Sequence, residues 1–250
     1  MKENKIISFA NHKGGVGKTT STASVGSILA QKGFRVLLVD LDAQANLTAC
    51  FHKGEVVHSV YDSLVADQPL PVVEVGENIN LVPASEQLAM IDVMLASAIS
   101  REKILAEKLA AVRDQYDYIL IDCPPSLGLM TLNAFTASNE IVIPLVAEVL
   151  PFKGLKMISN FIGMIHRRLN PQAHISGVLI TRWENTNLSR QIEDGLRGQL
   201  DGKVFATKIR KNVSIAEAPL KRVNIVDYAP KSNGAADYKA FTEELLEKVA

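Results

Sequence analysis

The stretch Asn11-His12-Lys13-Gly14-Gly15-Val16-Gly17-Lys18-Thr19-Thr20 directly follows the apolar run Ile6 to Ala10 and holds the residue types needed to grip a polyphosphate. Glycines at 14, 15 and 17 lack a Cβ, so the backbone there can take positive φ and turn successive N–H groups onto an anion. Lys18 adds a point charge suited to β- and γ-phosphates, and Thr19 adds a hydroxyl suited to Mg²⁺. From Ser21 to Ala30 the chain opens a helix, whose N-terminus favours negative charge. Strand before and helix after is the context that a phosphate-binding loop requires. Two features depart from the general pattern: His12 stands where its first glycine is expected, and a second lysine, Lys13, opens the motif.

Carboxylates stand where they can serve such a loop. The apolar run Arg35 to Asp40 leads into Asp40-Leu41-Asp42-Ala43-Gln44-Ala45-Asn46-Leu47-Thr48. Open α/β sheets place their ligands at the carboxyl ends of strands, so these two acids are placed to act on Mg²⁺ or water. A second apolar run, Tyr116 to Asp122, ends in an acid and continues as Cys123-Pro124-Pro125-Ser126-Leu127-Gly128. A strand-terminal aspartate beside a phosphate loop holds the metal shell, commonly through water, because Mg²⁺ keeps several of its waters.

Lys13 to Thr20 resembles the deviant Walker A motif of the ParA/MinD family of ATPases. Asp40 to Thr48 resembles the family's Asp-x-Asp-Pro-Gln-x-Asn switch, with Ala43 in place of the proline, and Asp122 to Gly128 resembles its second switch. Thr207 to Pro219 resembles the family's Ile-Pro-Arg-Asn-Val-Arg-Leu-Ala-Glu-Ala-Pro segment, with Arg210 for proline, Lys211 for the first arginine and Ser214 for the second. The resemblance covers nearly the whole chain. It implies an α/β fold, a doubly wound and mainly parallel sheet flanked by helices, in one P-loop ATPase domain over residues 1–250. It also implies ATP rather than GTP, in keeping with the lack of an Asn-Lys-x-Asp guanine reader, together with Mg²⁺. The nucleotide contacts implied are Lys13, Gly14, Gly15, Val16, Gly17, Lys18, Thr19, Thr20 and Asp42, with Arg210 and Asn212 near the adenine. Thr19, Asp42 and Asp122 would form the metal shell. Catalysis would use Lys18, Asp42 to position water, and Lys13 reaching across an ATP-dependent homodimer to the partner's nucleotide, with slow, partner-stimulated turnover.

Those groups need elements to position them. The helix after the loop is expected to stop at Lys32-Gly33, a cation and a glycine suited to a helix C-terminus. Apolar runs at Arg35–Asp40, Tyr116–Asp122, Glu140–Val146 and Ser176–Thr181 read as buried strands, Ile79–Pro83 and Lys203–Thr207 as shorter ones. Val57–Val65, Ser85–Val112, Phe152–Leu169 and Ala235–Val249 read as helices, as does a segment running to Leu200 capped by Thr186 or Asn187. Trp183 falls in a polar loop, where half-exposed packing is the plain reading and stacking on a base the functional one.

At 250 residues, 47% hydrophobic and 22% charged, the chain has the composition of an ordinary soluble domain. No apolar run reaches the ~20 residues of a membrane span, and no signal peptide is visible, so a cytoplasmic protein without stable membrane insertion is expected. Cys50 and Cys123 lack neighbours at disulfide-framework or metal-ligand spacing and read as reduced thiols. Net charge is zero but uneven: residues 1–150 hold 11 basic against 17 acidic residues, residues 151–250 hold 16 against 10. The excess gathers in 203–222, which suits a polyanion or an ordinary solvated surface. Joined to the resemblance, it points to nonspecific DNA contacts by Arg210, Lys211, Lys221 and Arg222, with Arg182 and Arg190 as further candidates. The implied role is a nucleoid-associated partition ATPase with a ParB-like centromere-binding partner, for plasmid or chromosome segregation. A MinD-like membrane regulator is the alternative, but it calls for a basic amphipathic C-terminal helix, and residues 238–250 are acidic. The nitrogenase iron protein needs two cluster cysteines per subunit, a pattern that Cys50 and Cys123 do not match.

Overall fold

Val36–Asp40 and Tyr118–Asp122 are buried at every position, the condition of parallel strands covered on both faces. The computed structural model describes residues 4–147 and 151–249. In chain order it contains β1 (Lys5–Phe9), α1 (Lys18–Gln31), β2 (Val36–Asp40), α2 (Asn46–Phe51), α3 (Val60–Val65), β3 (Val73–Gly76), β4 (Ile79–Val82), α4 (Ile91–Met94), α5 (Ile104–Ala110) and β5 (Tyr118–Asp122). It continues with α6 (Leu129–Ala137), β6 (Glu140–Val146), α7 (Pro151–Arg168), β7 (His174–Trp183), α8 (Asn187–Gln199), β8 (Val204–Arg210), α9 (Val213–Glu217), α10 (Ile225–Tyr228) and α11 (Asn233–Val249).

The eight strands form one sheet in the order β3-β4-β2-β5-β1-β6-β7-β8, parallel except for the β3–β4 pair. β1 lies between β5 and β6, with the earlier strands on one side and the later ones on the other. That is where an open α/β sheet forms its ligand crevice. Along β2, Leu37 and Val39 join one apolar cluster, Val36 and Leu38 the other, and β5 divides in the same way. Phe135, Ile162 and Leu196 of α6, α7 and α8 cover the first face; Leu29, Phe241 and Leu245 of α1 and α11 cover the second.

α1 is buried along most of its length because α11 covers the side turned away from the sheet, with Ser21 Oγ 3.2 Å from Tyr238 Oη. It ends as its sequence predicts: Gly33 takes φ +87, its N–H bonds Ala30 O at 2.9 Å, and the N–H of Phe34 bonds Leu29 O at 3.1 Å.

Four expectations are corrected. Ser85–Val112 is not one helix but a 3-10 turn at Glu86–Met90, then α4, tight turns and α5. The side chain of Asn133 on α6 accepts from the N–H of Leu105 at 3.1 Å and donates to Arg101 O at 2.8 Å, so a distant residue satisfies backbone groups that helix continuity would have used. The helix expected from Val57 starts at Val60, where Asp62 accepts from the N–H of Ser59 at 2.7 Å. The strand expected over Lys203–Thr207 runs to Arg210, and β7 runs on to Trp183. At α8 the cap is Thr186, which accepts from the N–H of Ser189 at 3.1 Å. No helix among the described residues is long and apolar enough to cross a membrane.

Close approach of α1 to the sheet depends on Gly26, where an added Cβ would stand 2.6 Å from Leu38 Cδ2 inside the core. Gly26→Ala is expected to destabilise the protein by about 1–2 kcal/mol, an overpacking cost of ~1–3 kcal/mol partly offset by the better helix propensity of alanine. Urea unfolding of the nucleotide-free protein measures it, and a variant at least as stable as the parent would contradict this packing.

Candidate functional site

α1 begins without a capping side chain: its cap residue is Gly17 at φ 89, and no acid lies in its first turn. Its orphan N–H groups therefore face the crevice with only a ligand or solvent to satisfy them. Gly15 at φ +70 and Gly17 supply the left-handed residues that curl the loop around that space. The loop is anchored on both flanks. Asn11 Nδ2 donates to Pro144 O at 2.8 Å while its Oδ1 accepts from the N–H of Lys13 at 3.1 Å, and Thr181 Oγ1 of β7 donates to Val16 O at 2.8 Å. The two lysines have opposite settings: Lys18 is buried, with Nζ donating to Lys13 O at 3.1 Å, whereas Lys13 is exposed.

Beneath the loop lie the acids. Asp40 and Asp122 are opposite each other in the β2–β5 register, and both are fully buried. Thr19 Oγ1 donates to Asp122 Oδ2 at 2.6 Å, while Asp122 Oδ1 is buried with no partner. Burial, then the neighbouring Asp40, pushes the Asp122 carboxyl well above its usual range; Thr19 and Lys18 oppose this. Asp40 is pushed up to about 6, chiefly by burial, although it accepts from Thr48 N–H at 2.8 Å, Thr48 Oγ1 at 2.7 Å and Asp42 N–H at 3.1 Å. Burial lowers the Lys18 ammonium in turn, with Asp122 the leading opposing influence. Asp42, also buried, lines the cleft and accepts from the N–H of Gln44 at 3.0 Å.

No group of three or more His, Cys, Asp or Glu side chains among the described residues could hold a metal by itself. The arrangement fits a cation that keeps its waters and completes its shell on phosphate, since Asp122 offers an orphaned buried oxygen beside the Thr19 hydroxyl.

A cleft of about 730 Å³ is lined by Gly14, Gly15, Gly17 to Thr20 and Asp42, by Asn46 and Cys50, and by the apolar Ile209, Val213, Ile215 and Ile225. Arg210 and Asn212 line it as well. Arg210, however, is committed to Asp237, with contacts of 2.6–3.1 Å, and Asn212 accepts from the N–H of Ser214 at 2.8 Å. Of the other basic residues expected to face a polyanion, Lys211 pairs with Glu184 at 3.0 Å and Arg190 with Asn185 at 2.6–3.0 Å. Arg182, Lys221 and Arg222 are exposed and carry no ion pair among the described residues. Sequence reasoning gave no part to Thr48 or Thr181, whose bonds to Asp40 and Val16 span 8 and 165 positions. For Thr181 no local signal exists. For Thr48 the only one was its place at the end of the acid-bearing stretch.

A family model described as an AAA domain matches residues 4–175. The chain is 42% identical over 247 residues to the sporulation initiation inhibitor protein Soj of Bacillus subtilis (strain 168), covering 96% of this chain and 98% of that protein. It is 34% identical over 250 residues to the chromosome partitioning protein ParA of Myxococcus xanthus (strain DK1622), covering 98% and 88%. The chain belongs to the ParA/Soj family of P-loop ATPases. Among solved structures, the cobyrinic acid a,c-diamide synthase of Mycobacterium smegmatis with bound ADP and magnesium superposes at a TM-score of 0.86 with 33% identity, covering 98% of this chain and 95% of that one. The mainly parallel sheet with helices on both faces is thus the expected ParA/MinD-type fold.

The ionised Asp122 carboxylate is disfavoured by its surroundings in this ParA-family site until a cation arrives. Asp122→Asn is therefore expected to raise the melting temperature of the nucleotide-free protein at pH 8 and to shrink the further rise that Mg²⁺ with ADP produces. Differential scanning fluorimetry reads both, and a variant with the full Mg²⁺-dependent shift would remove Asp122 from the metal shell.

Proposed function

We propose that the chain is an ATP-dependent dimerising ATPase that binds DNA nonspecifically and partitions plasmid or chromosome DNA with a ParB-like partner, as a single P-loop domain in the cytoplasm, on the nucleoid. The observation that carries this reading is the contrast between the two loop lysines. Lys18 is buried where its own phosphates would lie, whereas Lys13, five positions earlier, is exposed at the outer edge of the loop and free to serve a second molecule. The naming of relatives as Soj and ParA supports it.

In this reading Mg²⁺ would supply charge neutralisation at the β- and γ-phosphates when bound, and phosphoryl transfer to water needs charge stabilisation and an aligned nucleophile. Lys18 and the uncapped amides of α1 bind the phosphates, Thr19 and Asp122 would hold the metal shell, and Asp42 in the cleft lining orients water. Lys13 completes the partner's site, so turnover is slow until a dimer forms and a partner protein acts.

Lys18→Ala is expected to abolish nucleotide binding, while Lys13→Ala keeps monomeric binding and loses the ATP-dependent dimer or its turnover. Asp42→Ala is expected to keep both binding and dimer and to lose hydrolysis by several orders of magnitude, at ~1.4 kcal/mol of barrier for each tenfold. Titration of a fluorescent ATP analogue, light scattering and single-turnover hydrolysis separate the three. Equal loss of binding in both lysine variants would defeat the cross-subunit role, and a near-normal rate in the third would remove Asp42.

The DNA surface is assigned to the ends of β7 and β8 and to the segment that continues from β8 to Arg222. Lys211 N–H donates to Trp183 O at 3.0 Å, which ties the ends of the two strands together, and the exposed Arg182, Lys221 and Arg222 carry no ion pair among the described residues. The membrane alternative is weakened because Tyr238, Phe241, Leu245 and Val249 of α11 are buried in the core, leaving that helix no apolar face for a bilayer. Replacing Lys221 and Arg222 by alanine should weaken binding about equally for unrelated DNA sequences. It should also make the log-affinity against log-salt slope shallower by about two to four units per dimer, basal hydrolysis being retained. An unchanged slope would remove Lys221 and Arg222 from the DNA surface, and binding to anionic vesicles but not to DNA in any nucleotide state would favour the membrane reading.

A further inference from the structure

His12 takes the place of the usual first glycine of a P-loop, and its ring fills a notch in a neighbouring helix. An ideal Cβ on Gly154 of α7 would stand 2.2 Å from His12 Cε1 and 3.1–3.2 Å from the two ring nitrogens, so the imidazole occupies the room that this glycine leaves. Its Nδ1 is buried and has no hydrogen-bond partner, so shape rather than a hydrogen bond seats the ring. Burial, with the charges of Lys13 and Lys18 beside it, lowers the imidazole from its ordinary range.

The next residue is Lys13. Its N–H is held by Asn11 Oδ1 at 3.1 Å and its carbonyl by Lys18 Nζ at 3.1 Å. With the N–H and carbonyl of Lys13 both held, the seated ring at position 12 is a further constraint on the loop where Lys13 leaves it. A small hollow of about 60 Å³, bounded by His12, Lys13, Gly154 and Arg182, lies beside this junction on the flank away from Asp42.

We propose that His12, seated in the notch of Gly154, is a positioning residue that fixes the direction in which Lys13 leaves the phosphate loop and ties that direction to α7. The inference rests on the reading of Lys13 as the lysine that serves the partner's nucleotide. A ring that must fit one notch sets the loop more tightly than the flexible glycine of the general pattern, which is what a lysine reaching to a second molecule requires.

The test is a cycle of Gly154→Ala, His12→Ala, the double variant and Lys13→Ala in the full chain. Alanine is a better helix residue than glycine, so Gly154→Ala keeps α7 while its methyl group displaces the ring. Expected for both single variants is an affinity of the monomer for a fluorescent ATP analogue within about threefold of the parent, with kcat of the ATP-dependent dimer lowered about tenfold or more, since ~1 Å of misplacement can cost up to a hundredfold. The double variant should be no worse than His12→Ala alone, because the added methyl then has no ring to displace. Wild-type kcat in Gly154→Ala, or losses that multiply in the double variant, would overturn the proposal. If Lys13→Ala itself turns over like the parent, the cross-subunit reading falls and this inference with it. If Lys13→Ala loses turnover while the His12 and Gly154 variants keep it, only this inference falls.

Discussion

Asp40 and Asp122 face each other across adjacent parallel strands, both fully buried, with the partly desolvated ammonium of Lys18 as the nearby compensating charge. Burying carboxylates in this way is costly unless hydrogen bonds or opposite charge repay it. Asp40 is repaid locally by Thr48 and the Asp42 amide, and it thereby fixes the loop after β2. Asp122 is repaid only in part: one oxygen takes the Thr19 hydroxyl and the other takes nothing. The neighbouring amides of α1 lack a capping acceptor. Apposed groups of opposite need, a carboxylate short of a cation and a helix end short of an anion, are what a metal–polyphosphate satisfies at a stroke.

That arrangement is only as good as the scaffold that brings α1 to the ends of β2 and β5. Small residues on α1, Gly26 above all, let the helix come down on Leu38 and Leu120, and α11 closes over it from outside. Helix and sheet packing therefore sets the distance between Thr19 and Asp122. The same packing explains why α1 has little amphipathic character in its sequence: with apolar or small neighbours on nearly every side, there is no solvent face to mark with charge.

The phosphate loop, the buried strands and the stop of α1 at Gly33 were legible because each is encoded by residues within a few positions of one another. Ser85–Val112 was misread because periodicity reports only local preference, while Asn133, some thirty positions on, supplies the partners that let the chain break. Charge was legible only as a sum. Of the cations in 203–222, Lys208 is paired with Glu193, Arg210 with Asp237 and Lys211 with Glu184, none of which composition reveals. The lone tryptophan belongs to the same lesson: Lys208 Nζ sits 4.5 Å from the centre of its ring, so the end of β7 is packed rather than held open for a base.

Those pairings bear on how nucleotide and polyanion binding can be coupled. With half of the basic segment already neutralised inside the monomer, the free charge on one copy is small, and affinity that arises from counterion release grows with the number of phosphates reached. In the proposed reading a monomer is thus a weak polyanion binder, and a second copy is the direct way to increase the count. The ends of β7 and β8 are joined to the loop that would sense the nucleotide: Thr181 bonds Val16 O, Arg182 borders the nucleotide cleft, and Lys211 N–H donates to the Trp183 carbonyl. In the proposed reading, control needs no rebuilding of the basic surface. It needs only that the two copies meet when ATP is present, which is the step to which an exposed Lys13 is suited.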